Sequence, residues 1–399
     1  MFINEGDTLL IQPGAKVLMD GNFNFIVKGT FLSLGTQEKP IFITAKSAVK
    51  TDTYGADPTA DPAYKGLWGG ILCEPASKLV VLKWTHIEFG GGIVATSPVS
   101  GIANGANTQP VFFQNPDGVL VVEDSWFYGS LNDNLLVKGG KINIMRNTFE
   151  KSGFTNGEAV SIESGTVGNC AYNLIVGAAT NGFKVTNIGG KNPQTDVAIF
   201  NNTIINSGFR RNKAGRGGSI DYEEGARGMA YNNIIVNSKF GLRVVGNGTH
   251  LGNTLVMADT LNLKYGHNYY YADSISVANE IYPTGFITNP KPTDIPVPSY
   301  LPAGYKPGQV YDGSAVLEKN DVAFVNFPLP QPNRKYIQVS FKGNYDFKLK
   351  PTSPAIAKGF VDFKPIASVP VHEHLGSTVI SLPSKDLGAF PADNSGNKH

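Results

Sequence analysis

Cysteine is nearly absent from this chain, with two in 399 residues. Two thiols cannot staple a chain of this length, so burial and hydrogen bonding must hold it together. Charge is sparse as well: 17% of residues, balanced to a net +2. That gives no global pull towards nucleic acid, and no basic run supplies a local one. No stretch approaches the ~20 apolar residues needed to cross a bilayer. Windows rich in Ala, Glu, Lys and Leu at helical period are missing, so helix is expected to be scarce. The opening "MFINEGDTLLIQPGAKV" has neither a basic n-region nor an apolar h-region, so no signal peptide is visible. It enters β-pattern at once, as either a cytoplasmic protein or a secreted chain with its upstream segment trimmed away would.

What the chain has instead is glycine, asparagine and a repeat. Asn233 has Gly228 and Ala230 five and three residues before it and Ile235 two after. The same offsets hold Val197, Ile199 and Ile204 around Asn202, and Ile142, Ile144 and Phe149 around Asn147. Around Asn173 they hold Gly168, Cys170 and Ile175; around Asn253, Gly248, His250 and Leu255. Asp124 (Val119, Val121, Trp126) and Thr85 (Val80, Leu82, Ile87) extend the series. Intervals of 20 to 39 residues exclude a fixed-length array. They suit coils whose short strands superimpose while the loops between them vary. Alternating apolar residues face inward, and Asn, which tolerates the left-handed region, recurs at a turn where its amide can bond the Asn stacked above. One coil cannot bury its apolar side alone; a stack can.

The expected fold is therefore all-β, a single parallel β-solenoid of about nine to twelve coils. One domain spans 1–399, with main coils over 1–288. The Pro-rich stretch 289–310 is expected to be a surface excursion, because proline cannot donate to a ladder. Residues 311–399 are expected to form C-terminal coils and a cap. Asn147, Asn173, Asn202, Asn233 and Asn253 should stack with buried side chains. Cys73 and Cys170 fall on inward positions several rungs apart, so both should be buried free thiols.

A second β-run follows each turn: "NLLVKG", "AVSIES", "GFKVTN", "GSIDYEE" and "GLRVVG". Period-two alternation turns Leu135, Val137, Val160, Ile162, Phe183, Val185, Ile220, Tyr222, Leu242 and Val244 inward. One outward column then reads Leu136, Ser161, Lys184, Asp221, Arg243, and its neighbour Lys138, Glu163, Thr186, Glu223, Val245. Such a face is either a salt-bridged ladder that keeps an exposed sheet soluble or the floor of a site.

The pieces "EGDTLLIQPGAKV", "GTFLSLGTQEKPIFITA", "GLWGGI", "VVLKWTHIEFGG" and "YDFKLKPTSPAIAKG…DLGAF" together resemble the right-handed parallel β-helix proteins of the pectate-lyase-like superfamily, in particular the Bacteroidetes-type repeat proteins. The resemblance covers nearly the whole chain. It implies a single-stranded right-handed β-helix located outside the cytoplasm and acting on or binding an acidic polysaccharide. The scaffold hosts lyases, hydrolases, epimerases and non-catalytic adhesins, so it does not name the reaction.

In β-helix lyases the corresponding sheet forms the cleft, where a uronate carboxylate is neutralised and a base removes the C5 proton. On that pattern Lys184 and Arg243 are the candidate bases, flanking Asp221. A depressed pKa, from burial beneath the 207–217 loop, is expected for Lys184. Glu163, Asp221 and Glu223 are candidate Ca²⁺ ligands. Arg210, Arg211, Lys213, Arg216, Arg227 and Lys138 are candidate holders of the anionic chain. No Arg-x-Pro-x-x-Arg run and no paired-Asp motif is present, and hydrolysis by Asp221 with Glu223 is the lesser catalytic option. The alternative function is a non-catalytic, surface glycan-binding or adhesin-like protein. His250 is expected in the core, "HEH" at 372–374 lacks partner ligands, and Trp68 and Trp84 are expected to pack.

Overall fold

The computed structural model describes residues 1–51, 59–250, 253–273, 291, 293–295, 321–329, 343–372, 376 and 378–399. Three parallel nine-stranded sheets run along a common stack, and successive strands in sequence visit them in turn. This is a single-stranded parallel β-helix. The only helix among the described residues is a single 3-10 turn, Pro62–Tyr64.

Sheet A defines nine coils: Phe2–Ile3, Phe25–Val27, Ile71–Cys73, Val111–Phe113, Leu135–Lys138, Val160–Glu163, Asn181–Thr186, Gly218–Glu223 and Leu242–Val244. Sheet B runs from Thr8–Ile11 to Leu263–Gly266, and sheet C from Lys16–Met19 to Tyr269–Tyr271. The alternation read from the second runs holds. Every residue assigned inward there, from Leu135 to Val244, sits in the central apolar core.

The asparagine column is real, with one change of member. Asn147 donates from N and Nδ2 to Asn173 Oδ1, both at 3.0 Å. Asn173 does the same to Asn202 at 2.9 Å, and Asn202 to Asn233 at 3.0 and 2.9 Å. The next rung is Asn268, which accepts from Asn233 N and Nδ2 at 3.0 Å; Asn253 is not in the column. Residues Gly248–His250 and Asn253–Leu255 form an antiparallel hairpin instead, so His250 is not on a coil strand; its side chain lies outside the described residues. The true copy is Leu263, Tyr265, Asn268, Tyr270, with tyrosines in two apolar places.

Towards the N-terminus the column continues through Ser125, whose N–H donates to Asn147 Oδ1, and Thr85, whose N–H donates to Ser125 Oγ. Asp124 was one residue off. "VLVV" is apolar in both phases of alternation, and pairing of Leu120 with Ile142 fixes Leu120 and Val122 as the inward pair. The left-handed residue is also not the ladder residue but the one before it: Arg146, Tyr172, Asn201, Asn232 and His267 have φ between 53° and 61°. That strained step turns the chain, and the next residue's amide bonds hold the turn. Asn202→Ala should cost about 1–3 kcal/mol by stranding the Asn173 and Asn233 partners. Urea unfolding of the variant against Asn202→Gln and wild type measures it.

Cys73 (sheet A, coil 3) and Cys170 (sheet B, coil 6) are buried and free, as expected. Burial pushes the Cys73 thiol up to about 12, and that of Cys170 up as well. The native protein should therefore show no thiol to an aromatic disulfide reagent, and two in denaturant without reductant. Two thiols appearing only after reduction would contradict this.

After Tyr271 no strand among the described residues joins the three sheets. Stretch 289–310 lies largely outside the described residues. Phe324–Asn326 pairs antiparallel with Asp346–Leu349. Phe324, Phe347, Leu387 and Phe390 then cover the outer face of sheet C at Leu174, Ile205, Ile234 and Tyr269. The last segment straps sheet B. Asn232 Oδ1 accepts from Phe360 N at 2.8 Å, Asn169 Nδ2 donates to the Ile366 carbonyl at 2.8 Å, and Thr378 Oγ1 donates to Glu123 at 2.9 Å. Tyr172, Phe200, Phe363 and Ile366 pack beneath it. Two of the three outer faces are thus occupied on the later coils.

Candidate functional site

Sheet A is treated differently along its length. On coils 2 to 5 its outward residues Ile26, Leu72, Phe112 and Leu136 are apolar. The loop of residues 91–109 packs Val94, Val99 and Ile102 onto them. Beyond Leu136 the same column turns polar: Ser161, Lys184, Asp221, Arg243, paired in that register. At this change of character a cleft of about 300 Å³ opens, lined by Glu158, Asn181, Lys184, Asp221, Glu223 and the loop cations Arg211, Lys213 and Arg216.

The loop over the cleft is set by glycine. Gly208 and Gly217 close its neck, with φ of 100° and 96°, and a Cβ on Gly208 would meet Gly218 N at 2.5 Å. Arg210 anchors it from below. Its guanidinium is buried, donates to the carbonyls of Ser152, Gly153, Phe154 and Gly177 at 2.6–3.1 Å, and sits 4.8 Å from the Tyr64 ring. Two more contacts tie the far end down. Arg243 Nη1 donates to the Gly215 carbonyl at 3.1 Å, and Arg216 pairs with Glu223 at 2.9 Å.

The floor is a set of opposed charges with little access to water. Arg243 is ion-paired with Asp221, and both are buried. Lys184 lies 3.4 Å from Glu223. Burial pushes the Asp221 carboxyl up to about 6, and the Glu223 charge adds to the rise, against Arg243 and Lys184. Burial would raise Glu223 too, but Lys184, Arg216 and Arg243 win and hold it below the ordinary carboxylate range. One strand therefore carries a carboxyl that titrates near neutrality and, two residues on, one that stays ionised. Asp221 Oδ1 and Ser219 Oγ are buried without a hydrogen-bond partner among the described residues.

The expected depressed pKa of Lys184 is not found. Burial lowers it, but Glu158, Glu223, Glu163 and Asp221 together hold the ammonium above its ordinary value. Lys184 is a fixed cation at neutral pH, whereas the Asp221 carboxyl is raised towards neutrality. Arg243 is engaged by the Asp221 carboxylate and the Gly215 carbonyl.

Of the expected chain-holding residues, Arg211, Lys213 and Arg216 line the cleft. Arg211 and Lys213 have no ion-pair partner among the described residues. Arg210 is spent on the four carbonyls beneath the loop. Arg227 lies on sheet B, 2.8 Å from Asp196, away from the cleft. Lys138 is on sheet A, 4.0 Å from Glu163 and outside the cleft lining. Glu163, Asp221 and Glu223 each face a cation instead of one another. No three His, Cys, Asp or Glu side chains converge as a metal-ligating group among the described residues. As arranged, the set does not fit Ca²⁺, which takes six to eight oxygens. His372 is exposed, and the rest of "HEH" lies outside the described residues. Trp68 is fully buried and donates to the Glu88 carbonyl at 2.7 Å.

Two carboxylates escaped the sequence reading. Glu158 lines the cleft and accepts from Asn181 Nδ2 at 3.3 Å. Asp133 sits behind it and accepts from Glu158 N at 2.8 Å. Burial, then the Glu158 charge, pushes the Asp133 carboxyl well above the ordinary range. Both precede their strands, in "NDN" and "NGE", where period-two alternation has no purchase. The stacking of Asp133, Glu158 and Asn181 just before three consecutive second runs was the available signal.

Compared with known proteins, the chain matches no family model and no curated protein sequence. Its fold is compatible with carbohydrate-active proteins, and no helix among the described residues is long and apolar enough to cross a membrane.

Proposed function

We propose that this protein acts outside the cytoplasm on an acidic polysaccharide, bound in the cleft beneath the 207–217 loop and cleaved by β-elimination. The observation that carries the reading is the cleft's charge order. Two rim cations without ion-pair partners among the described residues, Arg211 and Lys213, stand over a floor where Lys184 is kept charged and Asp221 is kept titratable. A uronate carboxylate neutralised by Lys184 and Arg211 has a more acidic C5 proton. Asp221, in its ionised form, takes that proton; the C4–O bond breaks, C4=C5 forms, and the departing oxygen takes a proton from solvent. No step here runs through a metal ion.

One observation favours a second reaction. The opposite shifts of Asp221 and Glu223 are also the signature of a general acid and a base in glycoside hydrolysis. The two are separated by one experiment. The pure protein is incubated with a panel of uronate polysaccharides, and unsaturated product is followed by ultraviolet absorbance beside total reducing ends. Elimination gives both signals in proportion, and rate rises with pH through about 6. Hydrolysis gives reducing ends alone, and rate falls above that pH. Binding without either signal leaves the adhesin-like module; no binding to any member ends the acidic-glycan reading.

A further inference from the structure

The cleft is short along the stack, and this bears on which part of a glycan it takes. On one side the 91–109 loop covers the outer face of coils 2 to 5. It is pinned by the Val94–Ala106 backbone bond at 3.0 Å and by Gln114 Nε2 donating to the Ser100 carbonyl at 2.7 Å. On the other side the 207–217 loop is tied down over coils 8 and 9 through Arg216 and Gly215. Past it, Phe240, Val245 and Leu255 form an apolar cluster that brings the 248–255 hairpin against coil 9. Val245, expected to point to solvent in the charged column, is 1% exposed for this reason.

The lining of the cleft runs from Glu158 to Glu223, a span of coils 6 to 8. At strand spacing this is about 10 Å, the length of about two pyranose rings. The volume agrees, since about 300 Å³ is at the small end for a ligand cavity. A polymer lying along sheet A would have to pass over a packed apolar loop at one end and a tethered basic loop at the other. We infer that the cleft is an end-directed site: it takes the terminal one or two residues of an acidic chain, or a free acidic disaccharide, and not the interior of a polymer. The inference rests on the acidic-glycan reading and narrows its substrate class. The buried acceptors at the floor, Asp221 Oδ1 and Asn181 Oδ1, are without partners among the described residues and suit the hydroxyl donors of a chain terminus.

The test is calorimetric titration of the full chain with acidic oligosaccharides of two to six residues from three uronate backbones, followed by size analysis of early products. The expected result is an affinity for the dimer within about threefold of that for the hexamer, and only one- or two-residue products at the first time points. An affinity that climbs more than about tenfold from dimer to hexamer, or a random ladder of fragments, overturns the inference while the acidic-glycan reading stands. No binding to any oligosaccharide overturns both. A variant in which residues 95–104 are replaced by a short glycine-serine turn adds a positive control. It should gain affinity for the hexamer and leave the dimer unchanged, and unchanged hexamer affinity counts against the loop as a wall.

Discussion

Arg243→Met should destabilise the protein by about 3–5 kcal/mol near neutral pH, the largest stability loss expected of any substitution in the cleft. The guanidinium is buried, pairs with Asp221 and ties down the Gly215 carbonyl, so removal leaves a buried carboxylate without its ion-pair partner. The carboxylate then takes up a proton in preference to staying charged. The sign follows from linkage. In the native wild type the Asp221 carboxyl is already raised from 3.8 to about 6, so the native state binds more protons than the unfolded chain in between. Its contribution to stability is therefore highest below about pH 4 and falls as pH rises to about 6. Without Arg243 the carboxyl rises further, and the loss continues to higher pH. Wild type and variant should thus converge in urea midpoint at acid pH and separate at neutral pH. The double variant Asp221→Asn, Arg243→Met should recover much of the difference, because neither charge is left buried. A deficit independent of pH would mean that Arg243 acts by packing against Phe240, 5.4 Å away, and not by charge.

Asp221→Asn is expected to lower the cleavage rate by about 10²–10⁴-fold, the usual worth of a positioned proton-transfer group. Asparagine keeps the shape and can still accept from Arg243, so glycan affinity should change far less than rate. Wild-type rate should show a limb near pH 6, and the residual rate of the variant should not. Lys184→Gln separates the second role. It should weaken substrate binding and rate together and leave the limb in place, shifted upward because one stabilising cation for the Asp221 carboxylate is gone. A limb that survives in Asp221→Asn would move the proton-transfer role to another group, with Glu158 the nearest candidate in the lining.

How far this architecture was readable from residues depends on where period governs. Columns on sheet A were legible to the residue, because Lys184, Asp221 and Arg243 alternate with Phe183, Tyr222 and Val244 and the core admits only one phase. The ladder was legible from Asn147 to Asn233 and then slipped to Asn253. The "GNGTHLGNTL" hairpin satisfies the same spacing by accident, while the real rung at Asn268 hides among tyrosines and a lysine. Position on a face was readable; company was not. Arg210 and Arg211 are neighbours in sequence, yet one is spent on buried carbonyls and the other stands in the cleft. Nothing local distinguishes them, because the carbonyls belong to turns more than thirty residues away. The covering of sheets B and C by the C-terminal segment is likewise a long-range choice, made by Asn169, Asn201 and Asn232, whose amides reach the strap. Lys184 was given the wrong protonation state for a related reason. Burial alone argues for a depressed pKa, and the carboxylates that reverse it come from the two neighbouring coils.

The most direct test of the central claim is titration of wild type and the Arg211→Glu, Lys213→Glu variant with whichever acidic oligosaccharide binds the wild type, in low salt. Both side chains stand on the rim without ion-pair partners among the described residues, so reversing them should leave the fold's unfolding midpoint nearly unchanged. If the cleft beneath the 207–217 loop is where the anion sits, affinity should fall by roughly tenfold or more, and the difference should shrink in high salt. Equal affinity of the two proteins at low salt would contradict the account and put the glycan on another face.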